Sequence, residues 1–537
     1  MSKSSTSKPS TSKSSPFKPS TSKPVTSIVI VGGGTAGWIT AGTLAAHLKA
    51  NSQATVTVTL VESPTTPTIG VGEGTWPTMR NTLKKMGVRE TDFIRECNAT
   101  FKQGAKFCGW TTGEQNDGYY HPLVLPQGYA DINLAPHWLA SNKTTPFAQS
   151  VCVQAALCEA GLAPKLISTA EYAAIANYAY HLDAGAFTRF LTKHCTQNLH
   201  VQHVLADVTS VQAKENGDIE SVNTLQAGNI YGDLFIDCTG FEALLIGKHF
   251  KVPFVSCKHT LFIDTALAVH VPYTDDQATI ASHTISTAQE SGWIWDIGLQ
   301  NRRGIGHVYS SAHTTDTQAE KALRQYIAKI SPNAQDLTVR KIPIEPGHRQ
   351  TFWQNNCVAI GLSAGFLEPL EASALVLIEM SATMLAEQLP TTRASMAIVA
   401  KRFNQTNTYR WQRIIDFLKL HYTLSKRTDS DFWIDNRAPN TNPDSLKELL
   451  ELWKYHYPWH SDFDRAAEVF PSASYQYLLY GMQYPTQPSH LGMSDKNIEL
   501  ANKLFTQNKA LAQKLLSSLP SNRALINKIK TYGLAQI

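Results

Sequence analysis

The chain has 537 residues, 42% hydrophobic and 17% charged, with 48 Lys plus Arg against 43 Asp plus Glu and a formal charge of +5. Lys3, Lys8, Lys13, Lys18 and Lys23 lie in an acid-free leader, and without them the two signs balance. A neutral body argues against a nucleic-acid binder, and the absence of a long apolar run or secretory core predicts a cytoplasmic protein that does not span a membrane.

Residues 1–26, made mainly of Ser, Thr, Lys and Pro, have too little apolar surface to pack and are expected to be a disordered tail. The body, 27–537, then opens with a β-branched run from Ser27 to Val31, the turn Gly32-Gly-Gly-Thr-Ala-Gly37, a helical stretch from about Trp38, and a strand ending at Glu62. In this strand–turn–helix–strand order Gly32 allows the tight turn and Gly34 lets a pyrophosphate reach amides at the helix start. Thr35 and Ala36 lie in the same turn and are expected to bind the cofactor, Gly37 lets the helix close on the strand, and Glu62 is placed to accept from a ribose. Two later runs, Asp233 to Gly240 with Asp237 and Asn356 to Gly365 with Gly361 and Leu362, read as further strands entering turns. Flavoproteins that hold FAD extended use such distant pieces together. The single fingerprint leaves no second nicotinamide site, so electrons are expected from a separate reductase. Eight cysteines without C-x-x-C spacing read as reduced thiols, with no metal site.

More specific matches lie in Gly292-Trp-Ile-Trp-Asp-Ile-Gly298, which resembles the W-x-W-x-I-P signature of flavin-dependent halogenases with Gly298 in place of proline. Gly70-Val-Gly-Glu-Gly-Thr75, containing Gly72, also matches, as do Asn98-Ala-Thr-Phe-Lys102, Val308-Tyr-Ser-Ser311 and Phe366-Leu-Glu-Pro-Leu-Glu371. A spaced set from Asp416 to Trp433 resembles the tryptophan-halogenase branch. The likeness covers 27–435 well and is loose beyond.

The resemblance implies an α/β fold. A Rossmann-type FAD module comes from about 27–110, 175–250 and 340–400, interleaved with a mainly helical substrate module from 111–174, 251–339 and 401–537. It further implies that reduced FAD and oxygen form a flavin hydroperoxide, that a bound halide becomes hypohalous acid, and that this acid travels to a lysine beside an aromatic substrate. Lys102 matches that lysine, as a polarising ammonium or as a neutral amine forming a haloamine, with Lys106 a competitor on a possible helix. Glu371 matches the catalytic glutamate, although a first-turn carboxylate favoured by the helix dipole is the structural alternative. Glu368 reads as a cap.

The halide is expected at Ser373 and Ala374, where the family has Thr-Gly; the added Cβ at Ala374 leaves halide choice open, with a lean towards bromide. His121 matches a substrate-contacting histidine. Trp453, Trp459 and Tyr477 are candidate pocket lining, Tyr477 equally as helix core. An indole-like aromatic is expected, a homodimer stays open, and an aromatic hydroxylase or a non-catalytic FAD-fold binding protein are the alternatives.

Overall fold

A computed structural model describes residues 23–51, 56–66, 72–114, 116–141, 143–465, 467–487 and 493–536. The leader through Ser22 and the motif residues Gly70 and Val71 lie outside the described residues. Lys23 to Thr26, expected in the tail, instead belong to the body. Val25 is buried and its N–H donates to Thr391 O, while Lys23 Nζ and Thr26 N donate to the Asp233 carboxylate at 2.7 and 2.9 Å.

The apolar run β1 (Ser27–Val31) is central because both its faces are buried, the pattern of a parallel strand covered by helices. It pairs in parallel with β2 (Thr57–Glu62) on one side and with Leu234–Asp237 on the other. Cys357–Ala359 adds beyond Leu234–Asp237, Gln202–Leu205 adds beyond β2, and Trp353–Gln354 closes one edge antiparallel. The helix α1 (Thr35–Ala50) packs against helices Ala184–Asn198 and Ser373–Glu387. Three distant stretches thus build one sheet, as an extended dinucleotide requires.

Helices dominate the residues assigned to the second module, but that module also holds a seven-stranded sheet, which the reading by pieces did not anticipate. Its order is Arg340–Pro343, Thr265–Pro272, Arg302–Tyr309, Gly292–Gly298, Thr284–Gln289, Gly104–Cys108 and Gly118–Pro122. Gly104–Cys108 and Arg340–Pro343, both assigned to the FAD pieces, pair instead in this sheet, and Lys106 lies on a strand rather than a helix. Trp293 and Trp295 both join the main core, and the Trp295 ring fits only because its cross-strand partner is Gly306, where a Cβ would stand 2.1 Å from it.

A third, small sheet joins the halves: Gly72–Gly74, Ala179–Asp183 and Thr100–Lys102, all antiparallel. It sits against the seven-stranded sheet, with Thr100 Oγ1 donating to Gly298 O at 2.7 Å and a Cβ at Gly304 falling 3.2 Å from Gly72. The C-terminal helix Asn522–Tyr532 returns beneath it, Asn522 Nδ2 donating to Phe101 O at 3.1 Å. Among the described residues no helix is long and apolar enough to cross a membrane.

Candidate active site

The glycine turn after β1 divides its labour as its spacing predicts. A Cβ at Gly32, whose φ is +115°, would strike Cys238 O at 2.1 Å, and one at Gly37 would strike Gly32 O at 1.9 Å. Around Gly34 a Cβ would meet nothing within 4 Å, so open space faces the first free amides of α1. No side chain caps this helix start and no acidic residue lies in its first turn, which leaves it free for a pyrophosphate. Thr35 Oγ1 lies 3.2 Å from Thr188 Oγ1, and Ala36 packs where a Cβ at Gly361 would come within 2.6 Å.

At the far end a crevice of about 660 Å³ is lined by Glu62, Thr188, Arg189, Lys193 and His203. Glu62 Oε2 lies 2.8 Å from His203 Nε2. An anion cradle, an acceptor at the end of β2 and a roomy crevice beyond fit the pyrophosphate, ribose and adenine of FAD.

Two of the expected cofactor residues act otherwise. Asp237 is fully buried; Thr239 N and Oγ1 donate to one carboxylate oxygen, and Leu245 N and Ile246 N to the other. It shapes the turn after its strand and has no oxygen free for a ligand. Gly72 serves the close approach of two sheets at Gly304 and Ile297.

Gly361 and Leu362 line a narrow cavity of about 40 Å³ with Phe366, Ser373, Ala374 and Trp411, so the third flavin segment and the expected halide residues share one space. Ser373 starts the helix Ser373–Glu387, and the two residues before it, Glu371 and Ala372, have φ of 64° and 55°. Consecutive non-glycine residues in the left-handed region cost free energy, and such strain collects at functional turns. Trp76 Nε1 steadies the turn by donating to Glu371 O at 2.8 Å.

The same turn touches Lys102. A Cβ at Gly74 would lie 3.3 Å from Ala372 Cβ and 3.4 Å from Lys102 Nζ, so glycine keeps a gap between them. Lys102 is 3% exposed and Nζ donates to Thr75 O at 3.2 Å. Burial pulls its ammonium down to about 8, while nearby Glu371 pushes the other way. Lys106 is no competitor, being bound to surface Glu159 at 2.7 Å.

The Glu371 side chain is 6% exposed. Burial pushes its carboxyl up, but His121 and then His421 outweigh this and hold it well below the usual carboxylate range. His121 Nδ1 lies 2.8 Å from Oε2 and its Nε2 is 2.9 Å from Ser474 Oγ. His421 Nε2 is 3.2 Å from Oε1 yet out of line for a hydrogen bond. Phe417 and Phe470 stack at 3.7 Å beside His121, Tyr477 stands 6.1 Å from it, and Trp76 meets Phe470 edge-on at 4.9 Å.

Glu368 is not a cap. It is 1% exposed, accepts from Trp293 Nε1 at 2.7 Å and Tyr422 OH at 2.6 Å, and burial raises it to about 7. It ties the strand Gly292–Gly298 to the turn bearing Glu371.

Of the expected substrate residues, His121 and Tyr477 stand at this cluster. Trp453 is fully buried in the helical core with Nε1 spent on Asp462 at 2.8 Å, and Trp459 packs farther out on Tyr129 and His460. His421, Tyr119, Ser474, Trp76 and Phe417 were missed as site residues. The spacing of Phe417 and His421, four apart on the helix Arg393–Thr423, and of Ser474 and Tyr477, three apart, gave one signal for them.

The profile of the family described as tryptophan halogenase matches residues 27–496. The crystal structure of a tryptophan halogenase from Shewanella frigidimarina superposes with a TM-score of 0.93 at 49% identity, covering 96% of this chain and 99% of that one. A tryptophan 6-halogenase structure from Streptomyces toxytricini gives 0.87 at 34% identity, over 94% and 99% of the two chains. A 7-chloro-L-tryptophan 6-halogenase of Kutzneria sp. (strain 744) is 33% identical over 520 residues, 93% of this chain and 98% of that protein. With the glycine cradle, the paired tryptophans, Lys102 and Glu371 in one fold, this chain belongs to the tryptophan halogenase family of flavin-dependent halogenases.

Proposed function

We propose that this chain uses reduced FAD, oxygen and a halide to halogenate an electron-rich aromatic of the indole class. The observation that carries the reading is the turn from Glu371 to Ala374. It lines the cavity shared with Gly361 and Leu362 through Ser373 and Ala374, and meets the gap at Lys102 through Ala372. A bound flavin supplies the oxidation that converts halide to hypohalous acid. Ser373 and the free amides of its helix start hold the halide, and bromide is preferred as easier to oxidise than chloride.

Lys102, as an ammonium, hydrogen-bonds the hypohalous acid and returns a proton to the departing oxygen. Glu371, held ionised chiefly by His121, stabilises positive charge developing on the ring and accepts the ring proton. His121, Phe417, Phe470, Tyr477 and Trp76 offer the ring faces and edges to pack against. Electrons come from a separate flavin reductase, and the protein works in the reducing cytoplasm, consistent with eight free cysteines.

Incubating the chain with FAD, a flavin reductase, NADH, bromide and indole is expected to give bromoindole. Hydroxylated product without any bromination would replace this reading with an aromatic hydroxylase.

A further inference from the structure

The ring proton that Glu371 accepts must leave it again, and the residues around Glu371 offer one route. His421 is fully buried, with Nε2 3.2 Å from Glu371 Oε1, and neither atom has a hydrogen-bond partner. With the imidazole proton on Nδ1, these are two buried acceptors facing each other unsatisfied, a place that one proton completes. On its other side His421 Nδ1 lies 2.7 Å from Tyr119 OH, and Phe107 packs 4.7 Å from the ring.

We propose that His421, steadied by Tyr119, is a positioning residue that takes over from Glu371 the proton removed from the aromatic ring; this rests on the halogenase reading above. A ring carbon bonds the halogen with a pair of its π electrons, leaving the ring positively charged, as the halogen–oxygen bond breaks with its pair going to oxygen, which takes a proton from Lys102 and departs as water. The ring C–H bond then breaks, its electrons restoring the aromatic system and its proton going to Glu371 Oε1. That proton passes to the lone pair of His421 Nε2, with Nδ1–H donating to the Tyr119 oxygen.

The groups facing His421 agree with this direction. Glu371 and His121 are the titratable neighbours across the turn and the strand Gly118–Pro122, with Tyr119 on the same strand. Burial lowers His421, so its ring is neutral at neutral pH and has a lone pair to offer, although Glu371 pulls upward. Glu371, held low, is a poor place for a proton to stay.

The test is single-turnover bromination of indole and ring-deuterated indole by the full chain charged with reduced FAD. Wild type is expected to show almost no primary isotope effect, because adding the halogen is slow and losing the proton is fast. His421→Gln, with FAD binding retained by absorbance, is expected to turn over on the order of tenfold more slowly and to expose a clear primary isotope effect. A slower variant without that isotope effect, or one of wild-type rate, overturns the relay while leaving the halogenase reading intact. No brominated product from wild type overturns both. If His421→Gln fails to bind FAD, Tyr119→Phe carries the test, because it removes only the hydroxyl on Nδ1: an isotope effect above wild type supports the relay, and one equal to wild type overturns it.

Discussion

Lys102 ends the three-residue strand Thr100–Lys102 and is buried there. With its ammonium lowered to about 8, the charged form prevails below that pH and the neutral amine above it. If the ammonium is the working form, the yield of bromoindole per reduced FAD falls as pH rises through about 8; a yield that rises there instead indicates the haloamine route. Lys102→Ala is expected to abolish bromination while oxygen uptake and peroxide release by bound reduced FAD continue. Loss of both would place Lys102 in the flavin site. Glu371→Gln keeps the shape but cannot hold the ring proton, so turnover is expected to fall on the order of a hundredfold with FAD binding unchanged. An unchanged rate would remove Glu371 from the chemistry.

At the scale of elements, the helix Ser373–Glu387 brings the site together and carries a cost of its own. Glu379, two turns beyond Ser373, is 2% exposed and accepts from Thr82 Oγ1 at 2.6 Å and Thr78 Oγ1 at 3.3 Å, with no cation among the described residues pulling its pKa down. Burial raises it from the ordinary 4.5 to about 8. A raised carboxyl is protonated in both folded and unfolded chains at low pH, and its contribution to stability is lost progressively as pH climbs from the unfolded value to the folded one. Glu379→Gln, whose amide oxygen can accept from one threonine while its NH2 donates to the other hydroxyl, is therefore expected to match wild type in thermal unfolding at pH 5. At pH 9 it should exceed wild type by a few kcal/mol. Equal behaviour at both values would mean that water or a cation reaches the carboxyl. The strand Gly292–Gly298 gives a second test. Gly306→Ala drives a methyl into the Trp295 ring and is expected to cost roughly 1–3 kcal/mol in denaturant unfolding.

For the whole molecule, the positive charge is not confined to the leader. The segment from Asp495 to Lys530 carries Lys496, Lys503, Lys509, Lys514, Arg523, Lys528 and Lys530 against Asp495 and Glu499, so the balanced body hides a basic end and an acidic remainder. That end also underpins the site, since Asn522 reaches the strand of Lys102 and Arg523 Nη1 donates to Gln300 O at 2.5 Å. At the other terminus the border between leader and fold lies near Lys23. Deleting residues 1–22 is expected to leave turnover and FAD content unchanged, whereas deletion through Thr26 strips Val25 from the core and every donor before Ser27 from Asp233, and should lower the melting temperature measurably. A loss of turnover with the shorter deletion would give the leader a role in catalysis.

The sequence alone determined what depends on local geometry. The glycine spacing and the β-branched runs specified the parallel sheet and the turn into α1, because strand, turn and helix start are contiguous in the chain. The Trp293–Trp295 segment, Lys102 and Glu371 were legible from their motifs. The tertiary structure alone decided what those residues touch. Asp237 turned out to satisfy backbone amides, Glu368 to accept from Trp293 and Tyr422, and Trp453 to fill the core, because each partner lies on another element or beyond a turn. His421 and Glu371 stand 50 positions apart in sequence yet 3.2 Å apart in the fold, and no local pattern encodes such a contact. Burial, which pulls Lys102 down to about 8, likewise depends on how the sheets pack, a property that no stretch of sequence possesses by itself.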